Sequence, residues 1–92
     1  MYILTIHGKE RDGAYSTVNE EGEQTLYLFQ QEDDAVRYAL MLEQEGYPEM
    51  HVIEVEDDVM VKTCEVHDYP YVIITPNDIV IPPEKTEKDD FI

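Results

Sequence analysis

Few residue types in this chain could carry chemistry, and their spacing limits what they can do. Cys64 is the single cysteine and His67 follows it by three, so a helix would turn both to one side. Such a pair could begin a metal site, but structural zinc takes four ligands. His7 and His51, the other two histidines, lie far away in sequence. All four residues would have to converge. The second use of Cys64 and His67 is a nucleophile with its base. A catalytic thiol needs a positive setting to hold thiolate, whereas Glu65 adjoins Cys64 and Asp58 and Asp68 lie close in sequence. Such neighbours raise a thiol pKa. The sequence therefore favours Cys64 as a small core residue, with no metal or other cofactor and no catalytic residue expected. One cysteine also rules out an internal disulfide.

The carboxylates are more numerous than any of these. The chain of 92 residues holds 22 acidic and six basic side chains, a formal charge of −16. Glu32-Asp33-Asp34 and Glu56-Asp57-Asp58 each read as a helix start, where negative charge meets the positive end of the helix dipole. Neither fits a calcium loop. Nucleic-acid backbones require Lys and Arg to displace counterions, so nucleic acid is excluded as a partner, and an anionic membrane surface fails for the same reason. A basic partner protein fits the charge. Lys9 and Arg11, in the loop Gly8-Lys9-Glu10-Arg11-Asp12-Gly13, are the only local basic pair and the expected landing place of an anionic ligand. Arg37 stands three residues after Asp34 and four after Asp33. It is either half of an intrahelical ion pair or an anchor for an acidic group.

These residues must be positioned by a small set of elements. Strands are expected at 2–7, 14–18, 25–29, 51–55 and 71–74, from their β-branched and aromatic content. Segments 14–18 and 25–29 could pair as a hairpin. A helix over 32–45 places Ala35, Tyr38, Ala39 and Leu42 on one face, with Gly46 and Pro48 ending it. A second helix is expected over 57–67, weakened by its valines and threonine. Residues 79–81 read as a short edge strand stopped by Pro82-Pro83, and 84–92 as an acidic tail. The predicted fold is α+β, a single domain over 1–83. It would be a two-layer sandwich, a ferredoxin-like plait or close variant, with two helices on one face of a mainly antiparallel sheet. A right-handed crossover is expected for 25–29, helix, 51–55 if those strands are parallel.

No apolar run reaches the roughly 18 to 20 residues of a membrane helix. Met1 leads straight into Tyr2-Ile3-Leu4-Thr5-Ile6, without a basic start and a long apolar stretch, which reads as a cytoplasmic protein with no membrane insertion. There are seven tyrosines and no tryptophan, and neither face of the first or last strand is cleanly polar. A second apolar face carrying Tyr2, Tyr27, Tyr71 and Ile73 would be a protein-docking surface or a homodimer contact, unless the long 8–24 loop covers it.

Leu28-Phe29, the acidic run ending Asp33-Asp34, Ala35-Val36-Arg37-Tyr38-Ala39 and Leu42-Glu43 resemble a small domain-of-unknown-function family of cyanobacteria and plant chloroplasts. Cys64 with Tyr69, and Ile81-Pro82-Pro83, are similar to its later landmarks. The resemblance spans residues 2–84, and His67 and Asp68 depart from it where small residues are common. It implies a cyanobacterial, plastid-stromal or cyanophage setting and no enzyme activity. Residues and resemblance together point to a non-enzymatic interaction module, adaptor or regulatory, for a basic partner. The rivals are a dimeric small-ligand sensor and a metal-binding protein using Cys64 and His67.

Overall fold

The computed structural model describes residues 1–9, 13–18, 21–78 and 80. Among them, alternating apolar strands and helical periodicity produce β1 (Tyr2–Ile6), β2 (Ser16–Val18), β3 (Gln24–Phe29), α1 (Glu32–Gln44), β4 (Met50–Glu54), α2 (Asp57–Val66) and β5 (Tyr71–Ile74). These match the elements expected from the sequence to within a residue or two. Of the expected edge strand only Val80 is described, and the tail 84–92 lies outside the described residues.

β1 pairs antiparallel with β4, from Tyr2↔Glu54 to Ile6↔Met50, and with β3 at Tyr2↔Phe29. β5 runs parallel to β3, from Leu26↔Tyr71 to Phe29↔Ile74. Phe29 is thus opposite both Tyr2 and Ile74, and Leu26 opposite both Ser16 and Tyr71. A strand has two edges, so β5 takes one edge of β3 while β1 and β2 share the other, end to end. The fold is α+β with a mainly antiparallel sheet, as expected.

The placement of the helices differs from the expectation. β3, β4 and β5 all run the same way, because β3 and β4 each oppose β1. Both helices therefore connect parallel strands, and the two connections cross the sheet in opposite senses. Such crossovers are right-handed, and two right-handed crossovers of opposite sense put their helices on opposite faces. The packing agrees. Ala35, Tyr38, Ala39 and Leu42 of α1 share a core with Leu4, Phe29, Met50 and Ile74. Cys64 of α2 shares another with Leu26, Leu28 and Ala14, and Met1, Ile3, Met60 and Tyr71 pack around it. Ile3 and Leu4, adjacent in β1, fall in different cores, as the two-residue period of a strand requires. The expectation of both helices on one face is corrected: the sheet lies between α1 and α2. The second apolar face is the seat of α2.

The two helices are held unequally. α1 buries Tyr38 and Leu42 completely, and a fully buried side chain of that size contributes about 1.5–3 kcal/mol. α2 buries only Cys64, while Val59 and Val66 remain 58% and 68% exposed. Both helices end the same way. In α1, Gly46 N–H donates to Glu43 O and Tyr47 N–H to Leu42 O, with Gly46 at φ +92°. In α2, Asp68 N–H donates to Glu65 O and Tyr69 N–H to Cys64 O, with Asp68 at φ +55°. This is the Schellman arrangement, whose left-handed position glycine occupies most readily.

Candidate functional site

α1 begins directly after β3, and β5 ends beside it, so the first turns of α1 face the chain leaving β5. Between them is a cleft of about 240 Å³. It sits at the carboxyl ends of two parallel strands, the usual place for binding crevices in sheets with crossover helices. Met41, Ile74 and Val80 give it an apolar wall that continues into the core beneath α1. Asp34 and Arg37 come from α1, and Pro76 and Asp78 from the turn after β5.

That turn is fixed by its own side chains. Thr75 donates to Asp78 Oδ2 through its N–H at 2.8 Å and its hydroxyl at 2.9 Å. Asp78 N–H donates back to Thr75 O at 3.0 Å. The Thr75 N–H, followed by its hydroxyl, holds the Asp78 carboxyl below the usual aspartate range. On the opposite rim Arg37 pairs with Asp34 Oδ1. The Arg37 side chain is 65% exposed and that of Asp34 only 12%. Asp34 Oδ2 is buried and has no hydrogen-bond partner among the described residues. Buried polar atoms are nearly always partnered, so this oxygen marks a place where a donor is wanted. With two carboxylates and one guanidinium, the cleft suits a group that is cationic at one end and aliphatic behind.

Of the residues singled out from the sequence, Arg37 lies in this cleft. Lys9 is exposed in the turn after β1, where its N–H donates to Ile6 O. Because β1 opposes β3, that turn is at the other end of the sheet. Arg11 lies outside the described residues. The docking candidates divide between the two faces. Tyr2 and Tyr27 lie against the core beneath α1, Tyr71 lies against the core beneath α2, and Ile73, on Tyr71's side of β5, is 36% exposed. The tyrosines are largely core material. Tyr15 and Tyr38 are fully buried, their hydroxyls share a hydrogen bond of 3.1 Å, and Tyr27 and Phe29 pack tilted against Tyr38 and edge-on to each other. Burial raises the Tyr38 pKa, and the Tyr15 hydroxyl adds to the effect. At Tyr2, the charge of Glu54 raises the pKa, and its hydroxyl donates to Glu54 Oε2 at 3.4 Å.

Cys64 and His67 do not meet. Cys64 points into the core, where burial and then Glu65 raise its thiol pKa. His67 is exposed and stacks on Tyr69 with ring centroids 5.3 Å apart. No group of three or more His, Cys, Asp or Glu among the described residues is arranged to hold a metal. None of their helices is long and apolar enough to cross a membrane.

The sequence did not single out Asp34 or Asp78 as site residues. The Asp34–Arg37 spacing is visible in the sequence, but only the parallel pairing of β5 with β3 brings that pair against the turn after β5. No curated protein and no solved structure matches the chain. A family described as a domain of unknown function, DUF3110, matches residues 1–84. With a described fold of one sheet between two helices and a match over nearly its whole length, the chain belongs to the DUF3110 family.

Proposed function

We propose that this domain is a non-enzymatic interaction module that captures a basic protein. A lysine side chain of that partner would enter the cleft between α1 and the turn after β5. The observation that carries this reading is the buried Asp34 Oδ2, without a hydrogen-bond partner among the described residues and beside an apolar wall. An ammonium group supplies the missing donors, and its aliphatic stem suits Met41, Ile74 and Val80. Arg37, being mostly exposed, swings aside at small cost to admit it, since exposed ion pairs contribute only about 0–1 kcal/mol. The charge of −16 speeds encounter with a basic surface. The setting implied by the family resemblance, a cyanobacterial cell or plastid, belongs to the same proposal.

The test is a titration of isotopically labelled protein with an unstructured lysine-rich peptide, followed by amide chemical shifts. Saturable shifts should concentrate at Asp34, Arg37 and 74–78, and Asp34→Asn should abolish them while leaving the fold intact. Shifts spread evenly over the acidic surface, or unchanged in Asp34→Asn, would overturn the reading.

A further inference from the structure

His7 and His51 are 44 residues apart in sequence but adjacent in space. His51 stands opposite Thr5 in the β1–β4 ladder. His7 follows two residues after Thr5, and its N–H continues the ladder by donating to Glu49 O at 2.9 Å. The two histidines are therefore diagonal neighbours on one face of the sheet. It is the face that carries α2, but at the far end of β1 from the Met1 and Ile3 side chains that pack there. Both histidines are exposed, and their ring centroids are 5.9 Å apart at an interplanar angle of 65°.

We infer that His7 and His51 form a two-imidazole chelate for a first-row divalent transition cation such as Zn²⁺. The spacing supports this. With Zn–N about 2.0–2.1 Å and the ring centroid about 1.2 Å beyond the nitrogen, a tetrahedral ion holds two imidazole centroids about 5.2 Å apart. The observed 5.9 Å is within the reach of small side-chain rotations. Imidazole nitrogen selects Zn, Ni and Cu over hard cations, and the field of a chain with charge −16 concentrates cations at the surface. Two protein ligands leave two positions of the ion for water. The site is independent of the Asp34 cleft, which lies at the other end of the sheet.

The test uses tag-free protein titrated with ZnCl₂ in a calorimeter, with the histidine ring protons followed by NMR. One zinc per chain is expected, with the ring signals of His7 and His51 shifting together and those of His67 unmoved. His7→Ala and His51→Ala should each weaken binding by more than the tenfold to hundredfold typical of outer-shell partners, and His67→Ala should not. MgCl₂ at the same concentration should leave the ring signals in place. Zinc binding that survives either alanine change, that moves His67 equally, or that Mg²⁺ reproduces would assign the cation to surface carboxylates and overturn the inference. So would the absence of any heat and any shift.

Discussion

Replacing Asp68 by glycine should stabilise the fold. Asp68 is the one described residue other than glycine with positive φ, at +55°, and it fills the left-handed position of the Schellman turn ending α2. For most L-residues that conformation costs about 1–2 kcal/mol, with Asp and Asn at the lower end. Glycine removes this cost but gives back roughly 0.5–1 kcal/mol through its freer unfolded state. Removing a negative charge from the negative end of α2, which has no basic residue in its last turn, adds about 0.3–1 kcal/mol. The net gain is about 0.5–1 kcal/mol. For a chain of this size, 1 kcal/mol moves Tm by about 4–8 °C. Two further variants separate the causes. Asp68→Asn removes the charge and keeps a side chain that tolerates positive φ, so it should gain a few tenths of a kcal/mol. Asp68→Ala also removes the charge but takes the full backbone penalty, so it should gain nothing or lose about 0.5 kcal/mol. Urea unfolding of the four proteins should rank them Gly, Asn, Asp, Ala. An alanine variant as stable as the glycine variant would refute the backbone argument and leave charge as the whole effect.

Further outcomes follow from the same geometry. Gly46→Asp, at φ +92° in the matching turn of α1, is the reverse exchange and should destabilise by about 0.5–1 kcal/mol in urea melts. Tyr38→Phe removes the hydroxyl bond to Tyr15 in the core and should cost about 1 kcal/mol, read by thermal unfolding. Cys64 is fully buried with a raised thiol pKa, so its labelling by a disulfide reagent at neutral pH should be much slower than that of a free thiol. Denaturant too weak to unfold the domain should accelerate that labelling, because α2 lifts before the rest opens. The lowered pKa of Asp78 means that its carboxylate adds stability above the pKa of unfolded aspartate, and that this is lost as pH falls through the lower folded value. An NMR pH titration should find its midpoint below the usual aspartate range, and Thr75→Ala, which removes the hydroxyl donor, should bring it partway back.

The elements were legible because their signals are local. Ala35, Tyr38, Ala39 and Leu42 mark α1 by spacing alone, and these are the residues it buries. The layering was not legible. It depends on β5 joining β3 in parallel rather than returning beside β4, and nothing within Tyr71–Ile74 states which edge it will take. The apolar residues on both faces of β1 were visible, but a face awaiting a helix and a face awaiting a partner carry the same letters. The site behaves similarly. Asp34 and Arg37 could be read as a pair, yet their meeting with Ile74 and Asp78 is tertiary. The helical spacing of Cys64 and His67 suggested proximity that burial of one and exposure of the other prevents. His7 and His51 showed no such spacing and were brought together by strand register.

β1 precedes the other strands of the sheet in the chain and finishes in its middle. Its ladder with β4 joins Tyr2 to Glu54, so a greasy segment leaves the ribosome well before the strand it pairs with. Closing a loop of that length delays the reward of pairing, and this domain should fold slowly for its size. Until β4 arrives, the interval is the period in which a chaperone, or a neighbouring nascent chain, has access to that strand.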